Sequence, residues 1–148
     1  KDQREEVRGD VISWLQREAC HPDALPTLDL IEALQAELRR QLFLPLDESE
    51  CHFAVYPAGS RYMKHVDRHK NQNNRILTFI LYLNDLDWPE EQGGQLRMWL
   101  TKHETQEILP RGNRFVMFDS GNFPHEVLPA SCRRKSFTGW MRREKTGI

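Results

Sequence analysis

NRILTFILYLN, residues 74–84, is the clearest strand signal in this chain of 148 residues. Thr78, Ile80 and Tyr82 occupy alternate positions in it and would share one face, because side chains alternate between the two faces of a strand. Polar turn-forming clusters flank the run on both sides. The segment therefore predicts a strand that presents a hydroxyl and a phenol on the same face as an apolar side chain.

The same period of two recurs in four further segments. They are CHFAVYP (51–57), GQLRMWL (94–100), RFVMFD (114–119) and KSFTGWMRR (135–143). Short strands at near-regular spacing, separated by turn clusters, are typical of a sandwich or barrel. We therefore expect a mainly β fold with supporting helices.

TLDLIEALQAELRRQLFL, residues 27–44, predicts the main helix. Thr27 follows Pro26 and suits an N-cap. The apolar residues at helical spacing are Leu30, Ile31, Leu34, Leu38 and Leu42. The segment VRGDVISWLQ (7–16) fits either a helix or a strand, and the pattern alone does not decide between them.

Bulk composition excludes several classes of function. The net charge of -1 provides no field that would attract nucleic acid or an anionic membrane. The three cysteines, Cys20, Cys51 and Cys132, form no close pair, which favours a reducing cytoplasm. The sequence contains no apolar run long enough to span a membrane. We expect a cytoplasmic monomer in which residues 1–148 form a single domain.

KHVDRH, residues 64–69, contains two histidines and an aspartate. On a strand His65 and Asp67 would point the same way, with Cα atoms roughly 6.7 Å apart, and both would reach one metal ion. His69 would lie roughly 13 Å from His65 and is predicted to be a surface residue. Two surface histidines with a paired aspartate are the alternative interpretation.

A third ligand must come from elsewhere in the chain. His21 and His103 lie in polar stretches, His52 opens a predicted strand, and a turn leads from DSGNFP into His125. Two histidines and one carboxylate on one face of a metal are the pattern of non-haem Fe(II) oxygenases. The residues alone leave the choice of third ligand open.

Arg134 is predicted to point inwards. Counting by twos, it shares a face with Ser136, Thr138 and Trp140, and Trp140 is too large and apolar to favour solvent. A buried arginine requires an anionic partner, and its guanidinium matches a carboxylate through two parallel hydrogen bonds. That partner would be either a bound carboxylate or an internal aspartate or glutamate.

These stretches resemble the prolyl hydroxylases among the 2-oxoglutarate- and Fe(II)-dependent oxygenases, in particular the hypoxia-factor prolyl hydroxylases and their bacterial relatives. The matching segments occur in the family's order and cover almost all of residues 7–142. They are VRGDVISW, YPAGSRYMKHVD, ILYLNDLDW, GGQLRMW, PHEVLPA and the strand from Arg134 to Trp140. The resemblance implies a double-stranded β-helix, which is a jelly-roll, cupin-like core. It also implies that residues 1–148 form a single catalytic domain that lacks the additional N-terminal helices and strands normally found in the family.

The resemblance also implies roles for individual residues. His65, Asp67 and His125 would bind the iron, and Arg134 would bind the distal carboxylate of 2-oxoglutarate with help from Tyr82. Further residues would line the co-substrate pocket, namely Tyr56, Thr78 and Leu96. On the substrate side, Trp14 and Trp140 would lie near the groove, and Asp10 would form an ion pair with Arg75. In this family VRGDVISW is a strand.

The implied activity is that of a prolyl 4-hydroxylase. With O2 and 2-oxoglutarate as co-substrates, it would hydroxylate a proline in a flexible segment of a protein, giving hydroxyproline, succinate and CO2. Elongation factor Tu is a candidate substrate if the source is bacterial. The alternatives are an oxygenase acting on free proline or another small molecule, a non-oxygenase cupin-type metalloenzyme, and a non-catalytic binding domain.

Overall fold

The computed structural model describes residues 8–144, in which one α-helix accompanies nine β-strands. The helix, α1, spans Leu25–Leu42. The strands are β1 (Val11–Leu15), β2 (Glu48–Tyr56), β3 (Tyr62–His65), β4 (Arg75–Tyr82), β5 (Leu96–Trp99), β6 (Thr105–Ile108), β7 (Phe115–Asp119), β8 (His125–Val127) and β9 (Arg134–Arg142).

Two antiparallel sheets enclose the main core. The larger sheet has the order β1-β2-β9-β4-β7, and the smaller has the order β3-β8-β5-β6. Apolar side chains from both sheets pack together, including Tyr82 of β4, Leu96 of β5 and Val127 of β8. This is the double-stranded β-helix that was predicted, and its interior lies between the sheets.

Helix α1 covers the outer face of the larger sheet. Leu28 and Ile31 are buried there against Phe79, Phe137 and other apolar residues of that sheet. The apolar stripe is narrower than expected, because Leu30 and Leu42 are 66% and 52% exposed.

The predicted N-cap at Thr27 is wrong, because α1 begins at Leu25 with Ala24 as its N-cap. Pro26 fits the first turn of a helix, where no backbone N–H is needed.

The ambiguous N-terminal segment forms strand β1, which pairs with β2 at the sheet edge. Val7 of that segment lies outside the described residues. Strand β6 was not predicted, because it lies at the edge of the smaller sheet and three of its four residues are exposed. Within residues 8–144 no helix has the length and apolar character needed to cross a membrane.

Candidate active site

His65 and His125 face each other across two neighbouring strands. β3 ends at His65, β8 begins at His125, and the two residues are direct partners in the antiparallel pairing. Asp67 lies two residues beyond the end of β3. One potential ligand atom from each of the three residues lies within 4.8 Å of the others, so the cluster has the geometry to hold a metal ion.

Backbone carbonyls orient both imidazole rings in the same way. Nδ1 of His65 lies 2.7 Å from the carbonyl oxygen of Met63, and Nδ1 of His125 lies 2.9 Å from that of Phe123. Because a carbonyl oxygen only accepts, each Nδ1 must donate, which leaves a lone pair on Nε2. The Nε2 atoms of His65 and His125 lie 3.4 Å and 3.6 Å from the carboxylate oxygens of Asp67.

Asp67 is buried, and a threonine on the larger sheet holds its carboxylate. Thr78 Oγ1 donates to Asp67 Oδ2 over 2.8 Å, and Ser120 Oγ lies 2.9 Å from the same hydroxyl. Burial acts to raise the pKa of Asp67, but the interaction of its carboxylate with His65 and His125 and the hydrogen bond from Thr78 lower it well below its usual range. Asp67 is therefore ionised, and burial also lowers the pKa of His125, so both are in the form that binds a metal.

The expectation that His65 and Asp67 share one strand is wrong, because β3 ends at His65 and Asp67 lies in the following bend. The bond from Thr78 holds the Asp67 carboxylate beside the histidines instead. His69 is exposed, as predicted, and its Nδ1 accepts a hydrogen bond from the backbone N–H of Asn71.

Arg134 lines the same pocket as the three-residue cluster and is only 2% exposed. Its Nε donates to the carbonyl oxygen of Gly94 over 2.9 Å, whereas its Nη2 has no hydrogen-bond partner among residues 8–144. In that part of the chain no aspartate or glutamate pairs with it, which rules out the internal ion pair there. A buried guanidinium with a free donor is suited to an anionic ligand.

Two tyrosines surround the guanidinium. Its carbon lies 5.2 Å from the ring centroid of Tyr56 and 5.1 Å from that of Tyr82. Tyr82 Oη is buried without a partner in the described structure, and burial raises the pKa of this phenol, which keeps it protonated as a donor. Tyr56, Thr78 and Leu96 also line the pocket. The free Tyr82 hydroxyl and Arg134 Nη2 are therefore available to one carboxylate.

Residues 51–142 match the model of the 2OG-Fe(II) oxygenase superfamily, and this range includes all the site residues described above in this section. The structure is similar to that of a prolyl-4-hydroxylase from Pseudomonas putida, with a TM-score of 0.87 and 40% sequence identity over 95% of this chain and 75% of that chain. The chain belongs to the 2-oxoglutarate- and Fe(II)-dependent prolyl hydroxylase family.

Two further solved structures are similar to this chain. A prolyl hydroxylase from Trichoplax adhaerens, solved with a peptide of the hypoxia-inducible-factor oxygen degradation domain, has a TM-score of 0.83 and 30% identity, over 94% of this chain and 65% of that chain. A viral collagen prolyl hydroxylase from Paramecium bursaria Chlorella virus 1, in complex with 2-oxoglutarate, shares the fold at 18% identity, with a TM-score of 0.69 over 93% of this chain and 81% of that chain. A comparison with curated proteins found no match.

This prolyl hydroxylase family member is a dioxygenase that uses Fe(II), 2-oxoglutarate and O2. Family membership thus favours the oxygenase over the non-oxygenase metalloenzyme and the non-catalytic binding domain. The donor set fits these groups, because two imidazoles and a carboxylate suit Fe(II), and the unpartnered Arg134 Nη2 and Tyr82 Oη suit the carboxylate of the co-substrate.

The predicted substrate-side residues are only partly brought together. Trp140 is buried and lines the pocket, while Trp14 is 50% exposed and lies 6.2 Å from Trp140 between ring centroids. His52, which opens a predicted strand, lies inside β2 and lines the pocket as well.

The predicted ion pair between Asp10 and Arg75 does not form. Asp10 pairs with Arg8, its neighbour two residues away, and Arg75 pairs with Glu50 at 2.9 Å. The guanidinium of Arg75 also lies over the ring of Trp140, 3.6 Å from its centroid. Each charge is therefore satisfied by a nearer partner, which the family's pattern did not indicate.

Proposed function

We propose that the enzyme hydroxylates a prolyl residue of a protein, using 2-oxoglutarate and O2 and giving hydroxyproline, succinate and CO2. The observation that carries this proposal is one pocket that joins the His65, Asp67 and His125 cluster to the unpaired guanidinium of Arg134.

Each side chain has a defined task in this proposal. His65 and His125 bind Fe(II) through Nε2, since their Nδ1 protons are held by backbone carbonyls, and Asp67 supplies the carboxylate. Arg134 and Tyr82 bind the distal carboxylate of 2-oxoglutarate through their unpartnered donors. The pocket walls that exclude water between these two ends include Tyr56, Ile80, Leu96 and Val127.

The protein's residues orient and enclose the reactants. When bound, Fe(II) and 2-oxoglutarate supply the oxidative chemistry, in which one oxygen atom of O2 goes to succinate and the other to the prolyl carbon. Thr78 keeps the Asp67 carboxylate in place for this. No side chain is required as a nucleophile.

The similarity to prolyl hydroxylases, one of them solved with a bound peptide, supports a proline in a flexible protein segment as the substrate. Elongation factor Tu is the candidate if the source is bacterial, and free proline is the alternative. We further propose a cytoplasmic, monomeric enzyme with one catalytic domain. The free thiols of Cys20, Cys51 and Cys132 agree with a reducing compartment.

The proposal is tested by incubating the protein with Fe(II), 2-oxoglutarate and host lysate and then searching by mass spectrometry for a proline that gains one oxygen atom. Parallel reactions without 2-oxoglutarate, and with the variant Asp67→Asn, provide the controls. Oxygen gained by a protein proline only in the complete reaction is the expected result. Consumption of 2-oxoglutarate with free proline, without any change to proteins, would overturn the protein-substrate proposal.

A further inference from the structure

His52 is a buried polar residue that the proposed reaction does not use. It lies in β2, is 2% exposed and lines the same pocket as Asp67 and Arg134. Neither Nδ1 nor Nε2 of its ring makes a hydrogen bond within the described residues. A buried imidazole without hydrogen-bond partners costs free energy. Its position beside the pocket therefore indicates that a ligand supplies the missing partners.

Trp140 provides a second unpartnered donor next to His52. Its Nε1 is likewise buried without a hydrogen-bond partner in residues 8–144. The ring centroids of His52 and Trp140 lie 5.5 Å apart, and those of His52 and Trp14 lie 4.9 Å apart in a T-shaped arrangement. The two aromatic neighbours pack against the imidazole, and His52 and Trp140 both line the pocket.

Sheet register places His52 away from both the metal cluster and the co-substrate end. It pairs with Trp14 on the edge strand β1 and with Thr138 on β9. Thr78, which holds Asp67, lies on β4 beyond β9. Arg134 pairs with a residue four positions further along β2. His52 therefore lies on the side of the pocket that faces the sheet edge.

The chemistry of this corner matches a peptide backbone. Burial, with a smaller effect of the nearby Arg8, lowers the pKa of His52 to about 4, so the imidazole is neutral near pH 7. A neutral imidazole offers one N–H donor and one acceptor, and the indole adds a second donor. Peptide groups beside a proline offer carbonyl acceptors on both sides and an N–H on the residue that follows.

We propose that His52 and Trp140 Nε1 form a polar subsite that hydrogen-bonds the peptide backbone beside the target proline. This inference rests on the proposed function and extends it, because the subsite selects peptidyl proline over the free amino acid. Free proline carries a charged amino group and a carboxylate in place of the neutral peptide groups.

The test compares His52→Met, which removes the polar atoms while keeping an apolar side chain of similar size, with His52→Gln, which keeps a donor and an acceptor. His69→Met, at an exposed histidine outside the pocket, is the matched control. Intact elongation factor Tu and the hypoxia-inducible-factor peptide are the probes. We expect His52→Met to raise the KM for the probe about tenfold. In His52→Gln the KM should be close to that of the wild type.

The KM for 2-oxoglutarate separates a peptide subsite from a purely structural role. It should change by less than about twofold in His52→Met, because Arg134 lies at the other end of the pocket. An unchanged probe KM in that variant, or equal losses for probe and 2-oxoglutarate, would overturn the subsite while leaving the proposed function intact. A wild type that hydroxylates neither probe, nor any proline in host lysate, would overturn both.

Discussion

Thr78 Oγ1 and Asp67 Oδ2 lie 2.8 Å apart in a buried hydrogen bond that connects the larger sheet to the metal-ligand cluster. Asp67 lies in a bend after β3 has ended, so no strand backbone holds it beside His65. The threonine hydroxyl therefore determines where the carboxylate points.

We expect Thr78→Val to weaken Fe(II) binding by about 10- to 100-fold, since a partner that orients a metal ligand contributes about this much to affinity. Valine has the same shape but lacks the donor. The measurement is an anaerobic Fe(II) titration. Ser120→Ala, which removes a neighbour of Thr78 but no direct bond to Asp67, is the control and should weaken binding much less. Wild-type affinity in Thr78→Val would show that the bond does not position the carboxylate.

Arg134→Ala should raise the KM for 2-oxoglutarate about 100-fold, because charge-assisted hydrogen bonds contribute about 1.5–3 kcal/mol. Fe(II) affinity should stay close to that of the wild type, since Arg134 is not one of the clustered ligands. Arg134→Lys, which retains the charge but not the planar fork, should fall between the two. Arg133→Ala, at an exposed neighbour on the opposite face, is the control. Unchanged dependence on 2-oxoglutarate in Arg134→Ala would remove this role.

Gly94→Ala should impair 2-oxoglutarate binding through Arg134. Gly94 has a φ of 77°, its carbonyl accepts from Arg134, and an added Cβ would lie 3.3 Å from Arg134 Cδ. Gly59 has a φ of 80° with no atom within 4 Å of such a Cβ, so Gly59→Ala isolates the backbone cost. Both variants should lose about 1–2 kcal/mol of unfolding free energy. Only Gly94→Ala should also raise the KM for 2-oxoglutarate, by about fivefold. Equal KM values in both variants would contradict this.

His52 should make the folded protein sensitive to acid. Its folded-state pKa of about 4 is below the ordinary value of 6.5, so the unfolded chain binds more protons between these values. The contribution that neutral His52 makes to the free energy of unfolding is fully present above pH 6.5 and is lost as the pH falls towards 4. The charged groups that affect the pKa of the ring are Arg8, Asp10 and Arg75.

Chemical denaturation at pH 7.5 and pH 5 measures the free energy of unfolding of both proteins. Between these pH values, that of the wild type should fall by about 2 kcal/mol more than that of His52→Met. Other groups titrate in both proteins, so the difference between them isolates His52. Identical pH dependence of the two would mean that His52 is already protonated, or solvated, in the folded state.

Local sequence patterns were sufficient for much of the fold. Alternation in NRILTFILYLN and KSFTGWMRR predicted β4 and β9, and the same parity placed Arg134 on the face of Trp140. The helix was predicted with its N-terminus two residues late. Strand β6 was not predicted, because an exposed edge strand buries too few side chains to require alternating apolar and polar residues.

The resemblance to a family pointed to more candidate site residues than the sequence pattern did. It pointed to His125 as the third member of the cluster. In the structure a ligand atom of His125 lies within 4.8 Å of those of His65 and Asp67. It was wrong about the ion pair of Asp10 and Arg75, because each charge has a closer partner.

By itself, then, the sequence determined most of the strands, which of their faces are apolar, and that an arginine points inwards, because these depend on residues two or four positions apart. Only the tertiary structure decided the bond from Thr78 to Asp67, the partners of Arg75, and the position of His52 at the pocket. Those contacts join residues on different strands and loops, and periodicity along one strand holds no information about what faces it from another.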